Sequence, residues 1–479
     1  MALGRWSPMV LLLTLLLLPG RVPASDDLPL KVTRLNDRVV TVSAMTGNST
    51  TVGIASEKGL VLIDAMWSPG IASEVRKIVA KALGRDDFAY LVLSCDDILL
   101  TGGGEAFADI DIIAHERCLE SLERRRGTLD ELLARRESEF RERVERTEAR
   151  LASPDLDPED VEFDRNWLDL CRRIAGDLAE GYEMVLPNVT FRDRLTLDLG
   201  DLTLRLFYFG RATNEGDLVI HVPEVGLVML GDIFHFGHML ARDSDPDIDR
   251  WLEILDNLLD GEGPVVHVIR SNAPGPWTRE RLASHRDFIR DIADKVDSAD
   301  AAGWSLEETM DRLAALENEF PYVTTWEDYS EDWDAILRND LRLLVGEIWK
   351  QSHTSAASVI ADRLDESGIE EARAALHVLR SGSGNEVYFL ESEFNSLGYR
   401  LLGEERVDEA VAIFQMAVDL YPESSNVYDS LGEAYMVAGE TAPAIWNYRK
   451  SLELDAENSN AAEMLRRLEE QAESSPPRE

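Results

Sequence analysis

Residues 90–109, YLVLSCDDILLTGGGEAFAD, run from an apolar strand pattern into a polar cluster and then into three glycines. Strand, reactive loop and glycine turn, in that order, are how many α/β active sites are assembled. The cluster offers the thiol of Cys95 and the carboxylates of Asp96 and Asp97, followed by Ile98, Leu99 and Leu100, with no histidine. Cys95 stands where a nucleophile would, but it needs a neighbouring base, and adjacent carboxylates raise a thiol's pKa. A second group lies in GDIFHFGHM, where Asp232 is followed by His235 and His238. Thiolate, carboxylate and imidazole are donors that transition metals accept. His115, His221 and His267 fall in strand patterns and read as structural residues.

The elements that must carry these residues follow from periodicity. Residues 30–65 alternate as strands, Ser73–Leu83 reads as an amphipathic helix, and AYLVLS and DIDIIAHE read as further strands. From Arg117 to about Gly181 the pattern is helical and charged, interrupted at SPDLDP. Arginine and glutamate at three- and four-residue spacing there predict a long solvated helix, with a lid or partner-binding arm as the alternative. Strands return at VTFRDRLTLDLG, LTLRLFYFG, DLVIHVP, GLVMLGDIF and PVVHVIRS, and helices dominate the remainder. Trp304, Trp326, Trp333 and Trp349 are expected to seal a contact between domains.

Composition narrows the function classes. The formal net charge is −42 over 479 residues. Such a field repels phosphate backbones and anionic lipid, so nucleic acid and membrane surfaces are poor partners. The first 24 residues, with Arg5, an apolar run and Ala24, predict a signal peptide and export to the periplasm or medium. Three cysteines leave at least one thiol unpaired, with a Cys118–Cys171 bridge conceivable.

The last ninety or so residues repeat with a period of 34. Leu397, Gly398 and Ala410 recur as Leu431, Gly432 and Ala444, and Phe394 and Phe414 recur as Tyr428 and Tyr448. Small residues let paired helices approach while aromatics fill the groove between them. The pattern resembles the tetratricopeptide repeat, two copies and a capping helix at Ala461–Gln471, which implies a protein or peptide partner or a homodimer contact.

Residues 30 to about 300 resemble the metallo-β-lactamase fold. The resemblance rests on GLVLIDA ending its strand at Asp64, on LVLS…TGGGEAF, on DIIAHE, and on the ordered strands from VTFRDRLTLDLG to VVHVIRS. It implies an αββα sandwich, an α/β (α+β) fold, with a site at one edge. The family's loop, Thr-His-x-His-x-Asp-His-x-Gly-Gly, holds one or two zinc ions. Here Ser94 stands at the Thr, Cys95 and Asp97 at the first two His, Leu99 at the Asp and Leu100 at the third His. Thr213 stands at the next ligand, Asp232 at the bridging Asp, and Ser271 at the final His, while Gly102, Gly103 and Phe107 are kept.

Zinc needs imidazole or thiolate donors and an open position where bound water is acidified. Leucines at two ligand positions set apolar surface where a hydrated ion would sit. The expected organisation is a signal peptide (1–24), a metallo-β-lactamase-like domain (25–300) with a helical insert at about 117–186, and a helical extension (301–385). Repeats (386–472) and a disordered tail (473–479) complete it. The expected function is non-catalytic binding of a small molecule or protein, with no cofactor. The alternative is a metal-dependent hydrolase whose site is rebuilt from Asp232, Cys95, Asp97, His235 and His238.

Overall fold

The computed structural model describes residues 28–44, 49–153, 158–212, 214–231, 233, 245–261, 264–270, 277–315, 333–382 and 386–474. They form two compact units. The first runs to Lys295 and includes Asp311–Glu347; the second takes Val296–Met310 and the chain from Ile348 onward.

The alternating residues of the first unit build a seven-stranded sheet in chain order: β1 (Leu30–Arg34), β2 (Val39–Ala44), β3 (Thr50–Ser56), β4 (Gly59–Ile63), β5 (Phe88–Val92), β6 (Asp111–His115) and β7 (Val189–Phe191). Strands β1 to β4 are antiparallel neighbours, and β4 to β7 are parallel. The stretch 189–200, read from sequence as one strand, is two. After β7 the chain crosses at Arg192 and Asp193 into β8 (Arg194–Asp198) of the second sheet. The others are β9 (Thr203–Tyr208), β10 (Gly210–Arg211), β11 (Leu218–Val222), β12 (Leu227–Met229), β13 (Asp245–Pro246) and β14 (His267–Ile269). The second sheet has the order β14-β12-β11-β9-β8, and β10 pairs with β13 in a small separate ribbon.

Period-two alternation gives each sheet an inner face. Val52, Ile54, Val61 and Ile63 meet Leu204, Leu206, Leu218 and Ile220 in one buried layer between the sheets. The opposite face of the first sheet, including Val40, Val42, Leu62 and Leu91, packs on α1 (Pro69–Leu83). This helix starts earlier than the periodicity suggested, because Ser68 caps it through the Ile71 N–H and Pro69 occupies the first turn. The arrangement is an α/β sandwich of two mixed sheets followed by helices, as the sequence implied.

A single turn, α2 (Ile98–Thr101), follows β5; the insert consists of α3 (Glu116–Arg126), α4 (Leu129–Leu151) and α5 (Pro158–Glu180). It is more than a solvated helix. Leu133 and Phe140 of α4 and Leu170, Ile174 and Leu178 of α5 join the core beneath the first sheet. Charge spacing described only the outer faces of these helices, where pairs such as Arg136–Glu139 run along the surface. The Cys118–Cys171 bridge does not form. Cys95, Cys118 and Cys171 are buried thiols, and burial raises the Cys118 thiol well above its usual value and Cys171 to about 12.

The remaining helices are α6 (Ile248–Asp260), α7 (Arg279–Ala301), α8 (Leu306–Ala314), α9 (Trp333–Ser352), α10 (Ala356–Ser367), α11 (Ile369–Ser381), α12 (Glu391–Gly403), α13 (Val407–Leu420), α14 (Ser425–Val437), α15 (Thr441–Leu454) and α16 (Ser459–Ser474). In the first unit α6 stacks Trp251 on Phe209 at 5.2 Å. In the second unit α12–α13 and α14–α15 repeat with the 34-residue offset read from sequence. Leu397, Ala410, Leu431 and Ala444 are buried, and the space a Cβ would occupy at Gly398 and Gly432 is taken by the rings of Phe414 and Tyr448. Trp349 stacks on His353 at 4.4 Å, and Trp304 is half-buried. Trp326 and the side chain of Trp333 lie outside the described residues.

Candidate functional site

The loop after β5 is held from beneath by Asp64. Its φ of 65° is in the left-handed region, which residues with side chains adopt rarely. The buried carboxylate accepts from the Ser94 N–H and the Ser94 hydroxyl, both at 2.8 Å, so the ends of β4 and β5 are latched together. Strain of this kind persists only where neighbours over-determine it, and those two bonds help to do so.

Beyond the latch, each candidate donor is engaged in holding the loop. Cys95 is fully buried, its sulfur accepts from the Asp97 N–H at 3.4 Å, and its carbonyl accepts from the Cys118 thiol. Asp97 caps α2, accepting from the Leu99 N–H at 2.9 Å. Leu100 is buried and Leu99 packs against the core beneath the first sheet, so both point to hydrocarbon. Gly102 and Gly103 have ordinary helical φ values. Their requirement is close approach: a Cβ at either would fall on the backbone carbonyl of Trp67 or Ala65. Phe107 is fully buried under the Arg76 guanidinium.

Thr213, Asp232, His235, His238 and Ser271 lie outside the described residues. Among the described residues no group of three or more His, Cys, Asp or Glu side chains is placed to hold a metal ion. Of the described positions in the loop, Cys95 is an enclosed thiol, Asp97 is a helix-capping carboxylate, and Leu99 and Leu100 carry no donor. His115 serves the framework. It caps α3, accepting from the Arg117 N–H, its other ring nitrogen meets the Arg192 carbonyl, and the ring stacks on Tyr208 at 3.7 Å. Burial lowers its pKa.

What the loop does present is a cleft of about 600 Å³ against the insert, lined by Asp97, Arg125, Thr128, Glu131, Arg136 and Asn214 among others. Arg125 reaches from its wall to the fully buried Asp96, with a 2.7 Å ion pair to the carboxylate and a bond to the Asp96 carbonyl. Ser121 also donates to that carboxylate. Burial raises the Asp96 carboxyl, and the Arg125 charge and the Ser121 hydroxyl pull it back. Sequence reasoning treated Asp96 only as a neighbour of Cys95; its partner lies 29 residues away, and no local pattern joins them.

A second cluster was also missed. The Arg270 and Arg281 guanidiniums lie 4.2 and 4.5 Å from the Trp277 ring centre, and the ring stacks on fully buried His285 at 4.5 Å. Burial and the two guanidinium charges hold His285 well below its ordinary pKa of 6.5. His221, on the outer face of the second sheet, is pushed down to about 4, chiefly by burial and then by Arg205. The unfolded chain therefore takes up protons near pH 6.5 that the folded chain refuses until about pH 4. Stability contributed by the neutral His221 is complete above pH 6.5 and is lost as the pH falls toward 4. Its share is about 1.4 kcal/mol per pH unit at most. Urea titrations of the His221→Gln variant should give a correspondingly shallower acid limb; a limb parallel to that of the wild type would show that His221 is protonated normally.

No protein-family model matches the chain, and no curated protein matches it in sequence. Solved structures do. A metallo-β-lactamase from Pontibacter korlensis is 16% identical over 54% of this chain and 97% of its own, with a TM-score of 0.34. A metallo-β-lactamase from Erythrobacter litoralis, with β-mercaptoethanol in its active site, is 13% identical over 56% and 98%, with a TM-score of 0.34. A double mutant of the sec-alkyl sulfatase PisA1 is 13% identical over 88% of this chain and 65% of that one, with a TM-score of 0.41. These likenesses are of fold alone.

Proposed function

We propose that this chain is an exported binding protein on a metallo-β-lactamase-like scaffold, working without a resident metal. The observation that supports the reading is the state of the loop after β5. Cys95 is sealed, Asp97 is committed to capping α2, Leu100 is buried and Leu99 packs against the core. A hydrated ion at that place would lose its shell to hydrocarbon without gaining imidazoles in return. The cleft between this loop and the insert offers arginines, carboxylates and an amide for a polar ligand. The α12–α16 hairpins, read as tetratricopeptide-like, offer a surface for a protein or peptide partner or a second copy.

The test is elemental analysis of full-length protein purified without added metal or chelator, before and after dialysis against a chelator. The expected content of zinc and other transition metals is far below one per chain in both samples. Near-stoichiometric metal that dialysis removes would overturn the reading in favour of a rebuilt site on Asp232, Cys95, Asp97, His235 and His238. Asp232→Ala would then abolish metal retention.

A further inference from the structure

The outer face of the second sheet carries a site of a different kind. Inward positions of β8, β9 and β11 are aliphatic, so the alternate positions, Arg194, Arg205, Phe207 and His221, face outward. Arg205 is the cross-strand partner of His221 in the register of β9 and β11, which sets guanidinium beside imidazole on one face. With α6 these residues enclose a half-open cavity of about 670 Å³.

Three features of the cavity call for a ligand. His221 is 3% exposed, and its Nε2 has no hydrogen-bond partner, a costly condition for a buried polar atom. Arg194 and Arg205 form no ion pair within 4 Å and no side-chain hydrogen bond among the described residues. Glu224 feels the Arg205 charge but accepts from the Thr203 N–H at 3.0 Å. The opposite wall carries exposed acids: Asp249 and Glu253 stand one turn apart on α6, and Arg250 between them is paired with Asp193 at 3.3 Å. In a chain of net charge −42, a basic floor under an acidic rim is a charge pattern with a direction.

We infer that this cavity binds a small zwitterion, with its carboxylate on the Arg205 guanidinium beside His221 and its ammonium at Asp249 and Glu253. Guanidinium matches a carboxylate through two parallel N–H donors, and the half-buried floor strengthens those bonds. Phe207 gives the ligand's middle an apolar face. The acidic rim turns away polyanions, so phosphorylated ligands are disfavoured. The site stands apart from the loop after β5, and its fate is independent of the metal question.

The probe is 4-(aminomethyl)benzoate, compared with benzoate and benzylamine, titrated into the full chain by calorimetry and followed by the His221 ring resonances. Those resonances are assigned by their absence from the His221→Gln spectrum. The zwitterion should bind most tightly and shift the His221 ring. Arg205→Gln should weaken it roughly tenfold or more, the loss of a charge-assisted pair. Glu253→Gln, on an exposed helix face, should weaken the zwitterion several-fold while strengthening benzoate, a reversal that a folding defect does not produce. Absence of saturable binding below about 10 mM, or affinities for both probes left unchanged by Glu253→Gln, overturns the assignment.

Discussion

Gly103→Ala should cost about 3 kcal/mol or more of folding stability, the upper part of the range for overpacking a rigid site. The added methyl would fall on the Ala65 carbonyl oxygen and on the Cβ of Ala72, neither of which is the movable end of a flexible side chain. Ala72 is buried in α1, and the Gly103 N–H donates to the Met66 carbonyl at 2.9 Å, so the two segments are already tied at contact distance. Met66, like Asp64, has a positive φ, which leaves this strand-end turn little room to relax. Urea unfolding of the variant is the measurement. A loss below about 1 kcal/mol would mean that the loop after β5 moves as a body and is not the rigid base described above.

Arg125→Met should cost about 2–4 kcal/mol, and Asp96→Asn added to it should restore most of that loss. Asp96 is 1% exposed, whereas the Arg125 side chain is 36% exposed, so the asymmetry matters. Removing the arginine strands a carboxylate in the interior, while removing the carboxylate leaves a cation that water can reach. Solvent screening at the arginine places the expectation below the full range for buried pairs. Burial already raises the Asp96 carboxyl, so in the single variant protonation is the escape. Its deficit should shrink as the pH falls toward the carboxylate range, because the proton removes the stranded charge. The double-mutant cycle in urea decides; an Asp96→Asn change that fails to rescue Arg125→Met would assign the loss to packing against the cleft wall instead.

The fold was legible where one rule acts on neighbours in sequence. Alternation marked the strands and their order, and the 34-residue offset marked the hairpins from α12 to α15. Legibility failed where a local pattern had two outcomes. The stretch 189–200 keeps its alternation through a change of sheet, since Arg192 and Asp193 are as acceptable in a strand as at a crossing. The insert displayed its charges in sequence and hid a face on which Phe140 and Ile174 are buried.

At the site, residue types indicated which donors the loop carries but not where those groups would go. That Asp97 caps a short helix and that Cys95 is sealed depend on α2, a single turn too brief for any periodicity to reveal. The pairing of Asp96 with Arg125, the stack of His285 on Trp277 and the facing of His221 and Arg205 all join residues from separate elements. A motif could have suggested none of them. For the last pair a signal did exist: Arg205 and His221 each interrupt an aliphatic alternation, and polar residues at like positions of adjoining strands share a face.

The two-residue step at Arg192 and Asp193 has a thermodynamic consequence. Phe191 closes the edge of one layer and Arg194 opens the other, so there is no slack by which one layer could loosen while its companion stayed ordered. Because the two sheets also share one buried aliphatic layer, melting as a single cooperative event is the expected behaviour. The 34-residue hairpins are built on nearest-neighbour stacking and can unravel hairpin by hairpin. One polypeptide thus carries an all-or-none block and a graded spring.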